Sequence, residues 1–163
     1  MIVVEVSIEC DLWAALPNAE VLAAQAVEKA RKITKIKLHK AAEISVLLVD
    51  DSRIASLNAR WRNIAKATNV LSFPASAPEK LAANALLGDI VLAFETVRRE
   101  ALDEGKSLAN HFSHLVVHGF LHLIGYDHIN EADAEIMEAL EIKILAGLKI
   151  ADPYSETELV LQR

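Results

Sequence analysis

The sequence predicts an α+β fold: a small mixed sheet of about four strands covered by helices, with a buried central helix that carries candidate metal ligands. Three observations lead there. β-Branched runs interleave with helical patterns early in the chain, while helices gather late, an order typical of α+β chains. Apolar residues make up 53% of the 163 positions, enough for a sizeable core in a single domain spanning 1–163. Around residues 112–124 the chain is apolar on nearly every side (Phe112, Leu115, Val116, Val117, Phe120, Leu121, Leu123, Ile124), as a buried helix is.

Residues 2–8, β-branched with polar Glu5 and Ser7, read as the first strand. Helical spacing follows over 17–32 in Leu22, Ala23, Ala26, Val27 and Ala30, with Pro17 near the start and basic residues in the last turn. Residues 43–49 (EISVLLV) read as a buried second strand. Asp50 or Asp51 can cap a helix from 52 to about 62. A third strand over 69–73 is closed by Pro74; residues 74–87, rich in Ala, Ser and Pro, read as a mobile loop. Residues 88–94 give the fourth strand and 95–105 a helix ended by Gly105, after which Ser107 caps the long histidine-bearing helix. Asn130 caps a last amphipathic helix, 131 to about 146, with Ile136, Leu140, Ile144 and Leu145 on its apolar side. Residues 148–163, with Pro153, read as a loosely ordered tail.

The chemistry lies in His118-Gly-Phe-Leu-His122-Leu-Ile-Gly125-Tyr-Asp-His128. Residues four apart share a helix face, so His118 and His122 can bind one ion. Gly125 can take the left-handed conformation that ends a helix, which lets the chain return His128 from a third direction. Three neutral imidazoles leave an open position, the pattern of a catalytic zinc site, and one zinc ion per chain is expected. The spacing matches that of the metzincin proteases, except that Gly119 stands where their catalytic glutamate would be. The expected site therefore lacks the base for peptide hydrolysis, and a glutamate introduced at Gly119 is expected beside the metal.

Composition excludes other classes. A single cysteine, Cys10, allows neither an internal disulfide nor a cysteine-based zinc site. The amino terminus carries Glu5 and Glu9 without a basic start, and no run is long enough for a membrane helix, so the expectation is a cytoplasmic protein with no membrane partner. A net charge of −6 argues against general nucleic-acid affinity, DNA included. Even so, Lys29, Arg31, Lys32, Lys35, Lys37 and Lys40 form a local basic segment that can meet phosphates or be a solvated helix end.

Other candidates carry two readings each. Arg62 can cap helix carbonyls or grip a phosphate. His114, on the stripe 111, 114, 118, 122, can orient a metal-bound imidazole, face the substrate or simply lie on the helix surface; His111 continues the stripe backwards. Asp89 can bond a ligating histidine or shape a turn, and Asp127 can accept a proton or hold its loop.

Together, the histidine run, Thr68-Asn-Val-Leu-Ser-Phe-Pro74 and Leu87-Gly-Asp-Ile-Val91 resemble the signature motifs of the bacterial rRNA maturation factor YbeY family, zinc-dependent single-strand endoribonucleases, over residues 43–145. The resemblance implies zinc on His118, His122 and His128, Arg62 at the family's functional arginine, and a role in 3′-end maturation of small-subunit ribosomal RNA and in ribosome quality control, with single-stranded RNA and the small ribosomal subunit as partners. Asn63 and Ala67 depart from the Gly and Pro common there. The expected chemistry is metal-assisted phosphodiester cleavage, with Arg62 stabilising the transition state and any base drawn from His114, Asp127 or elsewhere. Two rivals are a non-catalytic ribosome-assembly protein with a structural zinc, docking on RNA through residues 29–40, and a metal-dependent hydrolase of another substrate.

Overall fold

Four strands form one mixed sheet in the computed structural model, which describes residues 1–154: β1 (Val3–Ile8), β2 (Glu43–Val49), β3 (Val70–Pro74) and β4 (Leu86–Ala93), in the order β1-β2-β4-β3. β1, β2 and β4 run parallel, and β3 is the antiparallel edge strand, Leu71 opposite Val91 and Phe73 opposite Asp89. The helices are α1 (Ala19–Thr34), α2 (Asp51–Arg62), α3 (Phe94–Asp103), α4 (Leu108–Leu123) and α5 (Glu131–Gly147).

Strand alternation divides the packing between two faces. Ile44, Val46 and Leu48 of β2, with Ile90 and Leu92 of β4, join the main core with α1, α4 and α5. Val49, Val91 and Ala93 meet Ile54 of α2 on the other face. α4 is buried as its all-round apolarity predicts, with Phe112, Val116, Val117, Phe120 and Leu121 fully inaccessible. Its cap is Ser107, whose Oγ accepts the Asn110 N–H at 3.0 Å. Asp50 and Asn130 cap α2 and α5 in the same way, each accepting an N–H at 2.8 Å. Asp51 instead accepts from the N–H and Oγ1 of Thr96, tying α2 to α3.

Three expectations need correction. Residues 74–87 are not a free loop: they contain a 3-10 turn (Pro78–Ala83) whose Leu81 is buried, and β4 already begins at Leu86. A second such turn (Asp11–Ala15) buries Trp13, whose indole N–H donates to the Val49 carbonyl at 2.9 Å. On α5 the inward stripe is Met137, Glu141, Ile144 and Leu145, whereas Ile136 is exposed. The helix is turned by about one position from the purely apolar reading because Glu141 is bonded on the inside. Finally, the expected loose tail is packed as far as Tyr154: Leu148 and Ile150 lie against the core and Pro153 is buried. Residues 155–163 of that tail lie outside the described residues.

Gly119 marks the closest approach of α4 to the sheet. A Cβ there would stand 2.9 Å from Ile90 Cγ2 and 3.1 Å from Ser72 Oγ, and that hydroxyl donates to the Gly119 carbonyl at 3.0 Å. The site therefore faces β3 and β4, and a glutamate would meet the sheet before any ion. This corrects the expectation that it would lie beside the metal. Overpacking by one methyl costs about 1–3 kcal/mol, and the gain in helix propensity over glycine returns about 1 kcal/mol. Gly119→Ala is thus expected to lose about 1 kcal/mol in urea unfolding while binding metal as before; a stability gain would show that Ile90 moves freely.

Candidate metal centre and cleft

α4 delivers His118 and His122 one turn apart at its carboxy-terminal end. The helix stops where the sequence says it should: Gly125 has φ +107°, and the Tyr126 N–H reaches back to the Leu121 carbonyl at 3.0 Å. Any larger residue at Gly125 would also press on Pro78, 3.0 Å from its Cβ position, so the 3-10 turn and the histidine loop fit only through a glycine. Asp127 then accepts the His128 N–H at 2.8 Å and fixes the returning residue.

The three imidazoles converge. Their ring centroids lie 4.6 Å (His118 to His122), 5.0 Å (His122 to His128) and 5.6 Å (His118 to His128) apart, and one nitrogen from each lies within 4.8 Å of the others. Nε2 of His118 and Nε2 of His122 are 3.1 Å apart. Nitrogens bound at about 2.0–2.1 Å in a tetrahedron stand roughly 3.3 Å from each other, so this set can close on one ion with little movement. Burial, and then the neighbouring imidazoles His118 and His128, push the His122 pKa down, which favours the neutral form a metal needs.

Behind the histidines lies a group that the sequence reading missed. Glu141, fully buried on α5, accepts from His118 Nδ1 at 2.5 Å and faces His114 Nε2 at 3.3 Å, and the Tyr154 hydroxyl donates to it. Burial alone would raise this carboxyl, but the hydrogen bonds and electrostatic attraction of the His114 and His118 rings outweigh it and hold the group down at about 2. Burial and the bond to Glu141 in turn raise the Tyr154 phenol. With Nδ1–H of His118 given to Glu141, Nε2 is left with its lone pair toward the centre, as carboxylate-oriented metal histidines are arranged. The signal was present: an acid within the apolar stripe of an amphipathic helix needs a buried partner. Glu141→Gln, which keeps the shape and weakens the acceptor, is expected to reduce metal affinity about 10- to 100-fold by competitive chelator titration; unchanged affinity would leave Glu141 a purely structural anchor.

The centre opens into a cleft of about 670 Å³ that Arg62, Ser72, Pro78, Asp127 and the three histidines line. Arg62, the last residue of α2, donates from Nη2 to the Ser72 carbonyl at 2.8 Å and lies over the Phe73 ring at 5.1 Å. Its placement rests on Asn63, whose left-handed conformation (φ +58°) closes the helix with Ile64 N–H on the Asn58 carbonyl at 3.2 Å. Asparagine tolerates that region better than most residues, so it fits where a glycine is common. Asp127 faces the imidazoles, its Oδ1 4.0 Å from His122 Nδ1 and 3.9 Å from His128 Nδ1.

Three candidates fall elsewhere. His114 turns to Glu141 and stacks edge-on to Tyr154, outside the cleft lining. His111 is buried against Glu100 at 2.9 Å and joins α4 to α3. Asp89 faces the α2 side of the sheet, away from the imidazoles. None of Lys29, Arg31, Lys32, Lys35, Lys37 and Lys40 lines the cleft.

Comparison with known proteins gives the family. The family model described as Endoribonuclease YbeY matches residues 12–149. The chain is 51% identical over 159 residues to the Endoribonuclease YbeY of Rhodopseudomonas palustris strain BisB18, covering 96% of this chain and 94% of that one. It is also 51% identical over 156 residues to the Endoribonuclease YbeY of Bradyrhizobium diazoefficiens, covering 93% and 85%. A solution structure from Thermotoga maritima shares the fold, with a TM-score of 0.58 and 23% identity over 97% of this chain and 92% of that one. The chain belongs to the YbeY endoribonuclease family.

Proposed function

We propose that this chain acts, as one domain, as a zinc-dependent endoribonuclease on single-stranded RNA in the cytoplasm, with the 3′ end of small-subunit ribosomal RNA as its target on the small ribosomal subunit. The observation that carries it is the convergence of His118, His122 and His128 at the base of a cleft whose wall holds Arg62. An all-imidazole donor set suits zinc, and three ligands leave a coordination position for substrate. When bound, zinc supplies a Lewis acid for a phosphate oxygen. Glu141 holds His118 in the ligating tautomer. Arg62 commits one N–H to Ser72 and keeps the others for the phosphate, where a guanidinium fork stabilises developing negative charge. Asp127 is the carboxylate of the cleft lining and a group able to take a proton there.

No helix of the described residues is long and apolar enough to cross a membrane. The test is elemental mass spectrometry of the purified protein, followed by cleavage of single-stranded and duplex RNA with and without chelator. One zinc per chain and chelator-sensitive cleavage confined to single strands are expected. Zinc retained without any turnover would favour the structural-zinc rival instead.

A further inference from the structure

Arg62 lines the histidine cleft and stacks on Phe73, which lines a second depression. On the α2 side of the sheet, opposite the histidine helix, lies a groove of about 360 Å³ walled by aliphatic side chains of β2, α2 and β4 and completed by Arg53, Trp61, Phe73 and Asp89. Trp61 is 58% exposed, an unusual position for a large aromatic side chain. The carboxylate of Asp89 and the guanidinium of Arg53 have no protein partner among the described residues. An apolar slot with an aromatic wall, one free acceptor and one free donor suits a flat molecule that carries both kinds of group on its edge. A nucleobase has that form.

Charge and continuity point the same way. Arg53, Arg60, Arg62 and Lys66 gather on α2 and the loop that follows it, in a chain whose net charge is −6, and Arg60 lies over the Trp61 ring at 5.1 Å. Aromatic side chains interleaved with cations are what single-stranded nucleic acid binds. Adjacent residues of edge strand β3 serve the two sites, Ser72 lining the cleft and Phe73 the groove. Arg62 spans them, bonded to the Ser72 carbonyl and stacked on Phe73. An RNA strand whose phosphate lies at Arg62 therefore has the groove within reach around the edge of β3.

We propose that this groove is a nucleobase subsite: it takes the base of a nucleotide flanking the cut phosphate, stacked on Trp61 and bonded at its edge by Asp89 and Arg53. The proposal rests on the endoribonuclease reading, and its test separates the two. The zinc-loaded protein is assayed on single-stranded RNA carrying one abasic site at successive positions. One position near the cut is expected to lower kcat/KM roughly tenfold, the scale of a lost base–aromatic stack. Trp61→Ala should raise KM on intact RNA by about the same factor with kcat unchanged, Trp61→Phe should restore most of it, and the alanine variant should be insensitive to the abasic site. Equal KM for wild type and Trp61→Ala, or independent penalties from the variant and the abasic site, would overturn the proposal. A second readout needs no turnover: a single-stranded oligonucleotide made cleavage-resistant by 2′-O-methyl and phosphorothioate linkages should quench Trp61 fluorescence over the constant background of Trp13, which is buried away from the groove surface. Absence of RNA cleavage would refute the endoribonuclease reading alone, whereas absence of quenching would refute the subsite alone.

Discussion

His122→Ala is expected to fold, to lose most of its metal and to lose nearly all cleavage. The side chain neighbours both His118 and His128 at the base of the cleft, with its ring centroid 4.6 Å and 5.0 Å from theirs. Its removal leaves two imidazoles, which are too few to exclude water from most of the ion's sphere. A catalytic metal contributes several kcal/mol of charge stabilisation, and each 1.4 kcal/mol or so is a tenfold change in rate. Cleavage should therefore fall about a thousandfold or more at ordinary zinc concentrations. Because α4 is anchored by its apolar faces and by the Ser107 cap, its circular dichroism should stay close to wild type. Full zinc stoichiometry in a folded His122→Ala protein would remove this residue from the ligand set.

Arg62→Lys is expected to retain zinc and lose activity. The ammonium keeps the charge and can reach the Ser72 carbonyl, but it has no planar fork with which to hold two phosphate oxygens, and it stacks poorly on Phe73. Losing one preorganised donor of this kind typically costs about 10²–10³ in kcat. The fall should appear in kcat more than in KM, and the metal content should not move, since none of the three histidines is bonded to Arg62. Equal rates for wild type and Arg62→Lys on single-stranded RNA would reduce the arginine to a helix-end contact with β3.

Much of the site was legible because its signals are local. The i, i+4 pair His118 and His122, the glycine that ends their helix and the return of His128 follow from helix periodicity and backbone sterics. The Ser107, Asp50 and Asn130 caps did too, each set by the few residues after it. Where a prediction needed to know what lay across the fold, it went astray. Residues 74–87 show no period, yet they fold into a turn because Leu81 finds the core and Pro78 meets Gly125. His114 lay on the same helical stripe as the ligands, but its partner sits on α5, 27 residues further on.

Gly119 shows the limit most clearly. Spacing placed it where a protease carries its glutamate; the contacts of α4 with Ile90 and Ser72 make it a position where the helix must lie close to the sheet. The sequence by itself determined which three histidines converge, the helix that presents two of them, the turn that returns the third and the mixed character of the sheet. Only the tertiary structure decided that Glu141 is the acceptor behind His118, that Arg62 faces the centre over Phe73 and that Asp89 does not. The reason is physical. Capping, turning and helical facing are settled within a few residues by backbone geometry, whereas the partner of a buried charge is chosen by how distant elements pack, and that information is spread over the whole chain.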